Sequence, residues 1–283
     1  MSWNKIPDSC TQQISSIHLE NNWSDLHQGD CEPYPDVNWV EAMAEESTHI
    51  HQQITDTDLS YVEIAQILQN AWLAFHQGEF EQSIALASQV GTLGTVVSSK
   101  ARGIYNDYLE DDEDVQLQQY EHLATESEAA AIILPEHANH HYFQAFGYGR
   151  YSQGISIVKA LSQGLGGKIK KSLEFCISIQ PEHAEAHLAL GLYHAEVVDK
   201  IGSTMAKLTY GASTKISRHH FDQALELAPN SAIVHIEYGN GLMLLEGDKG
   251  LDKANEAYAT AAGLTPIDAM SCLDIEFARS ELE

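Results

Sequence analysis

Along this chain valines and isoleucines recur at intervals of three and four residues rather than two. The apolar positions therefore fall on helix faces, and no segment is patterned as a strand. The fold class this predicts is all-α. Residues 1 to about 35 carry no sustained period and are expected to form an irregular arm, pinned to the body by Trp3 and Trp23. From Asp36, a good N-cap, the positions of Val37, Val40, Ala44 and Ile50 predict a helix to about Ile54. Asp58 is expected to cap a second helix carrying Val62, Ala65, Leu68 and Leu73, which Gly78 ends. Phe80, Ile84 and Ala87 continue on a partner helix closed by Gly91 and Gly94. The acidic run Glu110–Asp114 reads as a solvated loop whose last residues cap the next helix. Three regions follow: an arm over 1–35, N-terminal helices over 36–118 with one degenerate repeat around Trp72–Ala87, and helical repeats over 119–283.

The repeats show in the prolines. Pro135, Pro181 and Pro229 each have Ala three positions later (Ala138, Ala184, Ala232) and His six positions later (His141, His187, His235). The segments before them carry small and large residues at the spacing of a helical hairpin: Leu173 and Cys176 before Pro181, Phe221 and Ala224 before Pro229, Tyr258 and Ala261 before Pro266. This is the 34-residue tetratricopeptide pattern, in which small residues let paired helices approach and a proline stops the second helix. The proline spacings of 46, 48 and 37 residues depart from 34. The excess lies in Tyr151–Gly167 and Glu196–Thr214, where Gly154 and Gly202 each precede the next proline by 27 and Lys159 and Lys207 by 22. Such phase predicts that each insert is part of the repeat, as an extended or additional helix.

The stretch His140-His141-Tyr142-Phe143 through Ser172-Leu173, Gln180-Pro181-Glu182, Ala186-His187-Leu188 and Gly191, then Ala224 to Pro229, resembles the tetratricopeptide-like region of regulators of microtubule dynamics. It is also similar to the T component of some bacterial tripartite substrate transporters. The resemblance covers about residues 120–270 and implies an all-helical, non-enzymatic adaptor or ligand-binding protein.

Charge narrows the partners. Fifteen basic against 41 acidic side chains leave −26, a sign that opposes nucleic acid and anionic membranes. No run of about 18 apolar residues predicts a membrane span, and the N-terminal stretch to Asp8 has no apolar core of a signal peptide. Cys10, Cys31, Cys176 and Cys272 lie far apart, which fits reduced thiols and a cytoplasmic location, with Cys176 on an apolar helix face. No motif implies a cofactor. Gly164-Leu-Gly166-Gly167-Lys168 fails as a phosphate loop, because Ile169 stands where Ser or Thr is needed and no strand precedes it.

Stacked hairpins present their first helices to a shared concave face. On that basis Tyr142, Phe146, Leu188, Leu192, Ile236 and Met243 are expected to floor a groove, with Glu185, Glu196 and Asn240 orienting polar groups. A groove of this character suits a protein, a peptide or a small apolar ligand, unless the inserts fill it and make these residues core. The oligomeric state is left open. The alternative reading is a metal-binding protein or metalloenzyme. His137 with His141 and His183 with His187 are i,i+4 pairs, a spacing that can hold one ion, although packing at repeat-equivalent positions explains them without metal.

Overall fold

A computed structural model describes residues 3–282, leaving aside the side chains of Ile157 and Val158. The ends of the arm and of the repeat region (residues 1, 2 and 283) lie outside the described residues. Among those described the chain is helical throughout, with no strand. The arm contains two short helices, α1 (Ser16–Asn21) and α2 (Trp23–Leu26). Next come α3 (Val37–Glu46), α4 (Thr48–Thr57), α5 (Tyr61–Gln77) and α6 (Phe80–Ala87).

Asp36 caps α3 by accepting from the Trp39 amide at 2.8 Å. The single helix expected to run to Ile54 is two, broken at Ser47, whose backbone is extended. The break has a reason: Ala44 to Ile50 is a step of six, which an unbroken helix would place on different faces. With the kink, Val40, Ala44, Ile50 and Ile54 join one cluster with Ile64 and Leu68. Asp58 does not cap α5. It ends α4 in the left-handed region at φ 57°, and Ser60 is the cap, with a reciprocal bond between its amide and Glu63. Gly78, at φ 85°, ends α5 as expected.

The repeats occupy the remainder: α7 (Thr95–Tyr108), α8 (Glu113–Ile133), α9 (Ala138–Gln153), α10 (Ile157–Ser162), α11 (Leu165–Ile179), α12 (Ala184–Ile201), α13 (Ser203–Tyr210), α14 (Thr214–Leu227), α15 (Ala232–Glu246), α16 (Leu251–Ala262) and α17 (Ala269–Ser280). The hairpins are α7/α8, α9/α11, α12/α14 and α15/α16, with α5/α6 packed before them and α17 closing the stack. Pro135, Pro181, Pro229 and Pro266 occupy equivalent connections, because the next helix begins three residues after each. The histidine six residues on is part of the same turn. His141, His187 and His235 donate Nε2–H to the carbonyls of Pro135, Pro181 and Pro229 at 2.8, 3.1 and 2.8 Å. The inserts form the short helices α10 and α13. Small residues let the layers close: a Cβ on Gly241 would stand 2.2 Å from the Phe221 ring.

After Pro266 the sixth residue is Cys272, which is disulfide-bonded to Cys10. This corrects the expectation that all four cysteines are reduced. The two lie 262 residues apart in sequence yet adjacent in space. Cys176 is buried and free as expected. The arm is therefore fastened at several points: the disulfide, Trp3 against Tyr105 at 4.0 Å, and Trp23 edge-on to Trp72. It is also less irregular than its sequence implies, since it buries His27, Asp30 and Glu32. Cys10→Ser is expected to lower unfolding stability by about 2–4 kcal/mol, because the link constrains nearly the whole unfolded chain. Urea denaturation with and without reductant checks this. The wild type should lose the same amount on reduction and the variant nothing.

Candidate functional site

Helices α7, α9, α12, α15 and α17, each the first of its unit, wall a cavity of about 310 Å³ together with α11, the second helix of the α9 unit. Its surface is mainly apolar, supplied by Ile104, Phe146, Leu188, Leu192, Ile233 and Met270. The insert helices do not fill this space. Ala160 and Leu161 of α10, Ile201 at the end of α12, and Tyr210 at the end of α13 rim it. Two glycines on its wall differ in role. A Cβ on Gly103 would meet Phe146 at 2.8 Å, so that glycine lets α7 approach α9, whereas a Cβ on Gly149 would meet nothing within 4 Å.

Of the nine residues expected from sequence as a groove lining, the structure places Tyr142, Phe146, Glu185, Leu188, Leu192 and Glu196 on this wall. Ile236, Asn240 and Met243 are not on it. Ile236 is sealed among Ala261, Ile275 and Ala278, because α17 packs on that side of α15 and gives it a core of its own. Asn240 accepts from the Tyr258 hydroxyl at 2.6 Å and donates to Glu237 at 2.8 Å, so it orients a lining residue without being one. From α15 it is Ile233 and Glu237 that face the cavity.

One end of the cavity is charged. Lys100, only 3 % exposed, is held between Asp30 and Glu185, the latter at 3.3 Å. Burial opposes its charge, but the two carboxylates hold its pKa above the ordinary lysine value. Arg150 pairs with Asp107 at 2.9 Å and Glu237 at 3.4 Å. The Tyr108 hydroxyl donates to Asp274 Oδ1. Asp274 is 3 % exposed, and burial pushes its carboxyl up to about 8, with Asp268, Glu185 and Asp107 adding to the effect. Burial likewise raises Glu185, against the pull of Lys100.

Behind Lys100 a chain of buried polar groups crosses to the last helix. His27 Nδ1 meets Asp30 at 2.9 Å, His27 Nε2 meets His76 Nε2 at 3.3 Å, and His76 Nδ1 meets Asp268 at 2.7 Å. Asp268 also caps α17. The arm thus supplies part of the frame that holds the charged end. Asn139 of α9 fixes it further, donating to the Asp30 carbonyl at 3.0 Å and to Glu32 at 2.6 Å.

The His-x3-His pairs do not converge. His183 Nε2 donates to Asn139 and its Nδ1 accepts from the Ala186 amide, while His187 meets His220 at 2.9 Å through Nδ1. His141 bonds to the Pro135 carbonyl, and His137 is buried beside Glu32. Among the described residues no three His, Cys, Asp or Glu side chains are grouped to hold an ion. The sequence pattern does not predict the charged end, although one signal of it is visible. Lys100 follows Val96 and Val97 by four and three on the apolar face of α7, where a charge requires a buried partner.

Fold and cavity together define a helical-repeat protein of the tetratricopeptide type. Its architecture is similar to that of TTC0263, a thermophilic TPR protein of Thermus thermophilus. The TM-score is 0.54 over 77 % of this chain and 99 % of that one, at 13 % sequence identity. No protein-family model matches the chain, and no curated protein matches it. Among the described residues no helix is long and apolar enough to cross a membrane.

Proposed function

We propose that this is a non-catalytic binding protein that holds a small apolar ligand in the cavity walled by its first helices. The observation that carries the reading is the cavity itself, a mainly apolar space on the face that the first helices share. The repeat suits the task. Helices locked into hairpins hold Phe146, Leu188 and Leu192 in fixed relation, so little side-chain freedom is lost on binding. The inserts at the rim support the same reading, since they lengthen the walls without occupying the space.

Gly149 provides the test. Gly149→Leu starts a side chain on the cavity wall where a Cβ meets nothing within 4 Å, and replaces a mid-helix glycine by a better helix former. Thermal stability is expected to be unchanged or higher. Native mass spectrometry of protein purified from its own host should show a small molecule on the wild type and at least a tenfold lower occupancy on the variant. A wild type that carries no ligand, or equal occupancy in both, would end the proposal.

A further inference from the structure

Carboxyl groups outnumber cations around the cavity. Asp107, Glu185, Glu196, Glu237 and Asp274 line it, and Asp30 stands directly behind Lys100, making six carboxyl groups. Against them are three cations, Lys100, Arg150 and Lys200. Six less three leaves an excess of three carboxyl groups. The cations are already taken: Lys200 by Glu196 at 3.2 Å, Arg150 by Asp107 and Glu237, and Lys100 by Asp30 and Glu185. Asp274 pairs with no cation among the described residues. It is 97 % buried and faces the cavity, its Oδ1 accepts from Tyr108, and its Oδ2 has no hydrogen-bond partner among the described residues.

A buried carboxyl group with an idle oxygen, next to further acidic groups and at the end of an apolar space, lacks a cation. We propose that the cavity binds an amphiphile bearing a protonated amine, with its ammonium beside Asp274 and Glu237 and its chain along Phe146, Leu188, Leu192 and Ile233. This rests on the ligand-binding reading above and names the chemistry of the ligand. Three considerations favour an ammonium over other occupants. An anionic head group would meet Lys100 and Arg150 already doubly engaged. A bare metal ion would leave the apolar wall unfilled, and no metal-binding group of three is present among the described residues. The Phe146 ring on this wall already has one cation over it, the Arg150 guanidinium at 5.6 Å from its centroid, and Tyr108 and Tyr142 add two more aromatic rings to the lining.

Titration calorimetry of the full chain with decylamine, decanol and decanoate at pH 7.4 separates the possibilities. Decylammonium is expected to bind at least tenfold more tightly than decanol, and decanoate more weakly than either. In Asp274→Asn, which keeps the shape of the carboxyl group, the ratio of amine affinity to alcohol affinity should fall to threefold or less. Glu237→Gln should lower the preference as well. Decanol or decanoate binding as tightly as the amine would overturn the ammonium assignment while leaving the cavity as a binding site. Failure of all three to bind would overturn both.

Discussion

Lys100→Met is expected to destabilise the protein by about 3–5 kcal/mol, because it strands two largely buried carboxylates without their cation. Asp30 is fully buried, and burial alone would raise its pKa. It is held well below the ordinary range because Lys100 and His27 stand beside it. Without the ammonium, Asp30 must take up a proton or draw in water, and either change loosens the arm where Glu185 bonds through its amide to the Gly29 carbonyl at 2.9 Å. Urea unfolding followed by circular dichroism gives the magnitude, and limited proteolysis reports whether residues 27–32 come free. The loss comes from uncompensated charge rather than from lost packing. Adding Asp30→Asn and Glu185→Gln to Lys100→Met should therefore restore most of the stability. A single variant within 1 kcal/mol of wild type would show that the buried pairs do not hold the arm.

The contrast between what could and could not be read from the sequence has a physical basis. Prolines, caps and helix periods act over a few residues, so the four equivalent turns after Pro135, Pro181, Pro229 and Pro266 were legible, as were the inserts that keep phase with them. The cavity wall was legible where α9 and α12 repeat the pattern, and it failed at α15, where α17 packs against the face that holds Ile236. The charged end depends on pairs far apart in the chain. Lys100 meets Asp30 across 70 residues and Glu185 across 85, and Tyr108 meets Asp274 across 166. No local period encodes such a pairing. The Cys10–Cys272 bond is the extreme case, since each cysteine taken alone looks like a solitary thiol.

Asp274→Asn is expected to do the opposite of Lys100→Met and stabilise the ligand-free protein, by an amount that grows with pH. Below about pH 3 the Asp274 carboxyl is protonated in the folded and unfolded chain alike, so its burial carries no ionisation penalty. As pH rises the unfolded chain ionises first, while the folded one resists until about 8. Over that window the wild type loses stability that the variant, with nothing to ionise, keeps. A shift of this size corresponds to about 4 kcal/mol after allowance for relaxation of the site, reached near pH 8, with roughly a third of it already present at pH 5. Urea midpoints of both proteins at pH 5, 7 and 8.5 measure it, and a variant less stable than wild type at pH 8.5 would show that Asp274 is already satisfied. A fold retains so costly a group where the group serves binding. The cation that pairs with the ionised carboxylate removes the penalty, so saturating decylamine should raise the wild-type midpoint more at pH 8.5 than at pH 5. In Asp274→Asn the same addition should lose most of that pH dependence.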